Sequence, residues 1–171
     1  SHRPLIFFDD DADGLCSFLM LYKYIKGGKG VIIKTTPNLD HKFLRKVKEY
    51  PCDKVYVLDI AEGTQDFVNN VSSKIVWIDH HEPLDLKGIQ YYNPLNSSDE
   101  SEPVSYLIYK ALKKNIWIGM VGCIGDWFIP DFKDTFIKKY PDLMEKNIET
   151  PEEALFSTKV GYLAKVFSFA L

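Results

Sequence analysis

The sequence predicts an α/β fold, a doubly wound and mainly parallel five-stranded sheet that is flanked by helices and followed by a helical C-terminal segment. Two patterns lead to this prediction. Short apolar runs alternate with segments of helical periodicity up to residue 94, and this alternation is typical of parallel strands joined by crossover helices. From residue 103 onward the periodicity is helical throughout.

The strands are predicted from short apolar or β-branched runs. The first of them, PLIFF, is continuously apolar, which is typical of a strand buried on both faces. The five predicted strands cover residues 4–8, 30–36, 54–60, 74–79 and 89–94.

The helices are predicted from apolar spacing and from residues that begin or end a helix. The first helix ends at Gly27 and Gly28, and a later one begins after Thr64, a suitable N-cap. The last one begins at Pro151 with two glutamates in its first turn. The predicted helical segments are 14–28, 39–50 (with an apolar stripe of Leu39, Phe43, Leu44 and Val47), 64–73, 103–114, 116–125, 134–140 and 151–171.

Composition limits the classes of protein that fit. The 171 residues are 46% hydrophobic and 14% aromatic, which argues against disorder and is enough for one domain with a substantial core. A net charge of −3 gives no electrostatic argument for a general nucleic-acid binder. Two bound divalent cations would bring that charge to about +1, concentrated at their site.

Cysteine usage and hydropathy indicate a cytoplasmic protein without a membrane anchor. Cys16, Cys52 and Cys123 are an odd number at wide spacing and contain no CxxC pattern, so neither a disulfide framework nor a zinc site is indicated. A reducing compartment is the simplest interpretation. The longest apolar run, at 116–125, is too short to span a bilayer.

Acidic residues crowd the end of the first strand. Asp9, Asp10, Asp11 and Asp13 lie within five positions in the stretch FFDDDADGL. Closely spaced carboxylates repel one another unless protons or cations neutralise them. Because alternate residues of an extended chain share a face, Asp9, Asp11 and Asp13 are expected to point one way and Asp10 the other.

Two more strands end on an aspartate. VYVLD ends at Asp59, and IVWID ends at Asp79, which His80 and His81 follow. The C-termini of parallel strands lie on one edge of the sheet, where such folds bind ligands, so these side chains should converge with the first acids on one cleft. Carboxylates and imidazoles around one cavity suit divalent metals, and a shared carboxylate could bridge two ions about 3.5–4 Å apart.

A structural explanation competes with this one for each residue taken singly. A strand-end aspartate is most often a turn or N-cap residue, and a lone histidine is usually a satisfied polar group. The same explanation is poor for the whole set of strand-end acids and adjacent histidines. It is preferred for Asp40, His41 and Asp53, to which no functional role is assigned.

Four motifs in order resemble those of the DHH phosphoesterase superfamily. They are DDDADG (9–14), LDIAEG (58–63), IDHHEP (78–83) and GCIGDW (122–127). The superfamily includes RecJ-like nucleases, nanoRNases, cyclic-dinucleotide phosphodiesterases, exopolyphosphatases and manganese pyrophosphatases. With Asp9 at the first position of the first motif, where many members have histidine, the sequence looks RecJ-like.

The resemblance implies two divalent metal ions, Mn²⁺ or Mg²⁺, with manganese expected. By that resemblance Asp9, Asp11 and Asp59 would hold one ion, and the second would be held by Asp13, Asp59, His80 and Asp126. Asp79 would orient the histidines, and His81 would face the scissile phosphate. A water activated by both ions would attack that phosphate, and Gly14 would allow the close turn into the first helix.

The resemblance also implies a domain organisation and partners. Residues 1–171 are expected to form a single DHH catalytic domain, with a motif-bearing core at 3–126 and a helical extension at 127–171 that leads to a further substrate-binding domain. The glycine-rich motif of that further domain has no counterpart after Asp126. The expected partners are single-stranded DNA or RNA, short oligonucleotides, and replication or repair proteins.

Several functions fit this resemblance. The leading one is a manganese-dependent phosphodiesterase of the RecJ-like exonuclease or nanoRNase kind. A hydrolase of cyclic dinucleotides or phosphoanhydrides is a second, and a replication scaffold of the same lineage that has lost its metal sites is a third. Every expected ligand position is filled here, which disfavours the scaffold. An unrelated binding domain with an acidic edge would show no dependence on divalent metals.

Overall fold

A five-stranded, fully parallel sheet organises the protein in the computed structural model, which describes residues 3–34 and 38–170. Its strands lie in the order β2-β1-β4-β6-β7, and two short strands, β3 and β5, pair separately. The strands are β1 (Leu5–Asp9), β2 (Lys29–Ile33), β3 (Asn38–Leu39), β4 (Lys54–Leu58), β5 (Glu62–Gly63), β6 (Lys74–Ile78) and β7 (Gln90–Tyr92). The predicted fold class is confirmed.

Helices cover both faces of this sheet and form the C-terminal part of the described chain. Two single turns of 3₁₀ helix, at His41–Phe43 and Pro94–Asn96, accompany them. The helices are α1 (Ala12–Ile25), α2 (Leu44–Glu49), α3 (Gln65–Asn70), α4 (Val104–Leu112), α5 (Ile116–Gly125), α6 (Lys133–Lys139), α7 (Pro151–Ser157) and α8 (Lys159–Phe169). In the described ranges no helix has the length and apolar character needed to cross a membrane.

Strand β1 is buried on both faces, as its continuous apolar sequence predicts. Ile6 and Phe8 belong to the core under α1, α4, α5 and α8, whereas Leu5 and Phe7 belong to the core under α2 and α3. This division follows from the two-residue period of a strand. Two separate apolar cores therefore hold the sheet as the middle layer.

The C-terminal ends of the central strands lie side by side. Phe8 is opposite Leu58, and Leu58 is opposite Ile78. Strand β2 lies on one side of β1 and β4 on the other, so the connections diverge beside β1. Open α/β sheets bind their ligands in the crevice at such a switch point. The residues that follow β1, β4 and β6 are thus brought to that crevice.

One predicted helix and one predicted strand need correction. The apolar stripe predicts Leu39 in a helix, but Leu39 lies in β3, and α2 begins only at Leu44. The reason is Asp40, whose side chain accepts a hydrogen bond from the Lys42 N–H and caps the 3₁₀ turn. The predicted strand at 30–36 ends earlier, with β2 at Ile33, and residues 35–37 lie outside the described ranges.

The segment 151–171 forms two helices rather than one. The α7 helix begins as predicted at Pro151, with a capping box between Thr150 and Glu153. Thr158 then adopts an extended backbone, and its hydroxyl accepts a hydrogen bond from the Gly161 N–H at 3.0 Å. This second N-cap breaks the periodic segment, because a capping threonine leaves the helical conformation.

Candidate metal centre

The loop after β1 places three acids by three different local structures. Asp9 is the last residue of the strand, and Asp11 is the N-cap of α1, where its Oδ1 accepts a hydrogen bond from the Gly14 N–H at 2.8 Å. Asp13 already lies in the first turn of α1. The prediction that these acids share one face of an extended segment is therefore wrong for Asp13. The acids converge because the helix turns back over the end of the strand.

Gly14 permits that tight turn. A Cβ atom at this position would lie 2.5 Å from the backbone oxygen of Asp9 and 2.8 Å from its backbone nitrogen. Neither backbone atom can move away without disturbing β1. The first turn of α1 therefore packs directly on the strand end only because residue 14 has no side chain.

The sequence-predicted side chains form three overlapping groups at the sheet edge. Within each group one potential ligand atom per residue lies within 4.8 Å of the others. The groups are Asp9–Asp11–Asp59, Asp13–His80–Asp126 and Asp59–His80–His81. We call these residues together the carboxylate–imidazole cluster. The three groups found among the described residues include neither Asp10 nor Asp79.

Asp59 lies at the centre of the cluster and is 1% exposed. Its φ of 60° is in the left-handed region, which is uncommon outside glycine and ends β4 at Leu58, two residues before the end of the predicted strand. Its Oδ1 is buried and has no hydrogen-bond partner in the described part of the chain. Backbone strain and an orphaned acceptor at one residue indicate a functional position rather than a structural one.

His80 presents an unprotonated nitrogen to this acceptor. The Ser101 hydroxyl donates to the His80 backbone oxygen at 2.9 Å, so its own oxygen is left to accept from His80 Nδ1–H, also at 2.9 Å. The lone pair then lies on Nε2, 3.3 Å from Asp59 Oδ1. Burial lowers the pKa of His80, which favours this neutral form. Two electron-pair donors facing each other at this distance suit a cation.

Asp79 holds His81 in the same Nδ1–H tautomer. This buried carboxylate accepts hydrogen bonds from His81 Nδ1–H at 2.8 Å and from the His81 backbone N–H at 3.2 Å. The hydrogen bond to Asp79 raises the pKa of His81. Although His81 Nδ1 lies 4.0 Å from Asp59 Oδ1, its hydrogen points at Asp79. Nε2 is the nitrogen left for a substrate.

A polar network behind Asp79 fixes the loop that carries both histidines. The side-chain nitrogen of Asn93 donates to the His81 backbone oxygen and to the Tyr91 hydroxyl, both at 2.9 Å. The Tyr91 hydroxyl also accepts from the Leu84 N–H at 3.2 Å, so its own hydrogen is directed at Asp79 Oδ2, 3.5 Å away. This network immobilises the Asp79–His81 pair.

Asp13 connects the cluster to the helical part of the chain. Its two oxygens accept hydrogen bonds from the first backbone N–H groups of α4, at 2.7 Å from Val104 and 2.8 Å from Ser105. Burial raises the pKa of Asp13, and the nearby Asp126 carboxylate raises it further. The two N–H bonds fix the orientation of the carboxylate without supplying the positive charge that burial demands.

Asp126 closes the cluster from the end of α5. It is the C-cap residue of that helix, and its Oδ2 lies 3.7 Å from His80 Nδ1. A Cβ atom on the preceding Gly125 would lie 2.5 Å from Cβ of Ala12, so glycine here lets the end of α5 contact the start of α1. That close contact brings Asp126 beside the acids of the first loop.

The electrostatics of the cluster favour bound cations. Burial, with repulsion from Asp11, raises the pKa of Asp9 to about 6 and that of Asp126 to about 7. Burial raises the pKa of Asp59 well above its usual range, and the neighbouring carboxylates of Asp13 and Asp11 raise it further. Divalent cations would remove this repulsion. The carboxylate oxygens suit manganese and magnesium, and the imidazole favours a transition metal over magnesium. The residues present therefore fit bound divalent metal.

Comparison with known proteins identifies the family. The family described as DHH family, N-terminal domain, matches residues 3–123, which is most of the chain. The chain belongs to the DHH family. A search of curated proteins found no match.

Solved structures share the fold of this DHH chain. RecJ from Thermus thermophilus, in complex with Mn²⁺, is 17% identical at a TM-score of 0.56, with 74% of this chain and 22% of that chain covered. CDC45 from Entamoeba histolytica is 16% identical at a TM-score of 0.55, with 82% of this chain and 34% of that chain covered. The DHH domain of a member of the S1P family of ribosomal proteins is 14% identical at a TM-score of 0.67, with 99% of this chain and 47% of that chain covered. This DHH chain thus spans less than half the length of each of these proteins.

Sequence reasoning missed the residues that orient the cluster of this DHH domain. Ser101, Tyr91, Asn93 and the backbone N–H groups of Val104 and Ser105 were assigned no role. The polar run at 96–103 was the one available signal for Ser101, because a loop rich in serine and acids can supply hydrogen bonds to a neighbouring site. Tyr91 lies in a predicted strand, where an aromatic residue needs no functional explanation.

Proposed function

We propose that this DHH domain is a manganese-dependent phosphodiesterase that hydrolyses single-stranded or short nucleic acid, in the manner of a RecJ-like exonuclease or a nanoRNase. One observation carries the proposal. The buried Asp59 Oδ1 has no hydrogen-bond partner in the described residues and faces the lone pair of His80 Nε2 at 3.3 Å. A cation between these atoms would satisfy both.

Two ligand sets are proposed for two ions. Asp9, Asp11 and Asp59 would hold one, and the grouping of their oxygens supports this assignment. The second would be held by Asp13, Asp59, His80 and Asp126, with Asp59 shared; here support comes from the Asp13–His80–Asp126 grouping and from the His80–Asp59 distance. When bound, the ions would activate a water molecule and neutralise charge on the phosphodiester.

His81 and Asp79 would act on the substrate phosphate together. Asp79 fixes the Nδ1–H tautomer of His81, so Nε2 is free to bind a phosphate oxygen or the leaving oxygen. The hydrogen bond to Asp79 also raises the pKa of His81, which favours the protonated imidazole and hence a charged donor at Nε2. Such a donor stabilises the charge that develops in the transition state.

A scaffold without catalysis is the competing function. The fold does not separate the two, because the TM-scores to RecJ and to CDC45 are nearly equal, at 0.56 and 0.55. The filled cluster favours the hydrolase, since a scaffold has no need for strained, buried and mutually repelling carboxylates. A hydrolase of cyclic dinucleotides or phosphoanhydrides would use the same cluster and differs in substrate alone.

The test is hydrolysis of end-labelled short single-stranded RNA and DNA, with manganese and with chelator, by the wild type and two variants. Asp59→Ala removes the shared carboxylate, and Asp10→Ala removes an acid of the same loop that lies outside the cluster. We expect metal-dependent cleavage that Asp59→Ala abolishes and Asp10→Ala retains.

Calorimetric titration with Mn²⁺ separates the alternatives. Binding of two ions without cleavage of either polymer would shift the proposal to another phosphoester or phosphoanhydride substrate. Full activity of Asp59→Ala would overturn the shared-ligand assignment. If the protein neither binds manganese nor cleaves either polymer, the scaffold function remains.

A further inference from the structure

An exposed aromatic pair includes the residue that directly follows Asp126 of the carboxylate–imidazole cluster in the chain. Trp127 directly follows Asp126, and its side chain is 52% exposed. Its ring packs edge-to-face on Phe156 of α7, with ring centroids 5.9 Å apart at an interplanar angle of 66°, and Phe156 is itself 64% exposed. Lys165 of α8 places its Nζ 5.4 Å from the centre of the Phe156 ring.

The backbone holds Trp127 outside the core. Its φ of 57° is unusual for a bulky residue, and its N–H donates to the Ile124 backbone oxygen at 3.2 Å. The next residue, Phe128, returns to the core, where its ring lies 5.0 Å from that of Tyr106. A buried tryptophan could offset the cost of this backbone through apolar burial, but Trp127 leaves half of its surface in solvent. The exposed position of the indole is therefore unexplained by packing.

We propose that Trp127 and Phe156 form a stacking platform for an unpaired nucleobase of the substrate, next to the phosphodiester at the metal centre. The proposal rests on the proposed nuclease function. Because consecutive Cα atoms are about 3.8 Å apart, Trp127 is within reach of a nucleotide whose phosphate contacts the ions beside Asp126. Stacking on aromatic rings is how proteins hold single-stranded nucleic acid without reading its sequence.

The charge of the chain strengthens this inference. A protein with a net charge of −3 gains little from general attraction to phosphates, so its affinity for a nucleic acid must come from other contacts. Stacking supplies such a contact, and Lys165 adds one positive charge directly at the platform. A base between the platform and solvent would also cover apolar ring surface that is now exposed.

A closely matched control residue lies at the opposite edge of the sheet, where the strands begin. Tyr24 is 52% exposed, as Trp127 is, and Lys114 Nζ lies 5.5 Å from its ring centre. Tyr24 lies near the C-terminal end of α1 and lines a concavity with Pro4 and Lys54, at the edge of the sheet where the strands begin. It combines the same exposure and a similar cation with a position away from the cluster.

The experiment compares a short single-stranded oligonucleotide with versions in which one nucleotide at a time is abasic. Hydrolysis is measured with manganese for the wild type, Trp127→Ala, Trp127→Phe and Tyr24→Ala. We expect the wild type to show a KM that is roughly tenfold higher or more when one particular base is missing, and Trp127→Ala to show that higher KM for every substrate. Trp127→Phe should retain most of the discrimination, and Tyr24→Ala should retain all of it.

Tryptophan fluorescence tests the platform independently of catalysis. The intact oligonucleotide should quench the wild-type emission and the fully abasic one should not. Trp127→Phe should abolish the quenching, since Trp77 is fully buried and the partly buried Trp117 packs against Phe167 at the other end of α5 from Asp126. If no oligonucleotide is hydrolysed but quenching is base-dependent, the platform stands and the proposed nuclease function fails. The platform is overturned if the KM of the wild type does not depend on any base. It is also overturned if Trp127→Ala changes kcat alone, or if it changes the KM of neither the intact nor the abasic oligonucleotides.

Discussion

His80 Nε2 faces Asp59 Oδ1 across 3.3 Å with its lone pair toward the carboxylate, because the Ser101 hydroxyl fixes the hydrogen of His80 on Nδ1. A buried carboxylate oxygen and the lone pair of a partly buried imidazole repel each other in this arrangement until a cation or a proton joins them. The tautomer of one histidine, set by a serine 21 positions away, is thus part of the candidate metal site.

Removal of the Ser101 hydroxyl should weaken metal binding. Ser101→Ala leaves His80 free to rotate and to exchange tautomers, and the loss of such an orienting partner typically costs about 10–100-fold in metal affinity. Calorimetric titration with Mn²⁺ measures this change. Ser98→Ala is the control, because Ser98 lies in the same loop and bonds only locally, to the Glu100 N–H. Equal affinity of Ser101→Ala and the wild type would contradict the assigned tautomer.

Loss of His81 should impair turnover and spare metal binding. Its Nδ1–H is held by Asp79, and the raised pKa of His81 favours a proton on Nε2 as well, which makes Nε2 a donor to the substrate rather than a ligand. His81→Ala should lower kcat by about 10²–10³-fold, the usual effect of removing one such transition-state donor, with the manganese Kd nearly unchanged. His41→Ala, at an exposed position of a 3₁₀ turn, is the control. A variant that binds one ion fewer would show that His81 is a ligand.

Metal-free protein should lose stability as pH rises. Asp9 and Asp126 have pKa values raised to about 6 and about 7, above the value of about 3.9 expected in the unfolded chain. At pH values between the unfolded-state pKa and the folded-state pKa of each group, the folded state binds more protons than the unfolded state. The free energy of unfolding therefore falls with rising pH. His81, whose pKa is also raised, acts in the same direction. Melting temperatures in chelator should therefore be higher at pH 5 than at pH 8.

Manganese should reverse this trend. The ions need ionised carboxylates, so they compete with protons and stabilise the protein more at pH 8 than at pH 5. Asp59→Asn, which removes one of the groups with a raised pKa, should flatten the pH dependence in chelator. Asp99→Asn, at an exposed loop position, should leave it unchanged. A metal-free protein that is more stable at pH 8 would contradict the repulsion described for the cluster.

A methyl group at residue 14 should disturb the fold and the site together. The Cβ of Gly14→Ala would lie 2.5 Å from the Asp9 backbone oxygen, so the start of α1 must shift. Overpacking of this kind costs about 1–3 kcal/mol in the free energy of unfolding, and the shift should also weaken manganese binding through Asp11. Chemical denaturation and calorimetry measure the two effects. Gly27→Ala, whose Cβ meets no atom within 4 Å, is the control and should change neither.

The sequence was most informative where one rule of physics dominates. Parallel strands end at one edge, so the positions of Asp59 and Asp79 follow from the apolar runs before them. The positions of the acids in the first loop could not all be predicted from strand geometry. Asp13 belongs to a helix and reaches the cluster through a turn that the two-residue period of a strand does not describe.

The rest of the site depends on contacts between segments that are distant in the sequence. Ser101 meets His80 across 21 positions, and the Asp13 carboxylate meets Ser105 across 92. No local pattern encodes such pairings, since they arise only when the tertiary fold brings the segments together. Leu39 shows the converse, because an apolar spacing typical of a helix was overridden by the cap that Asp40 forms with Lys42.

The hydrogen bonds between Asp13 and the start of α4 have a consequence for synthesis on the ribosome. The acids of the first loop emerge before the rest of the cluster, whereas the N–H groups that hold Asp13 follow 91 and 92 residues later. Asp126 comes later still. A nascent chain that ends before α4 presents crowded carboxylates without the groups that orient them. The cluster can therefore assemble only after all five strands of the main sheet have been translated.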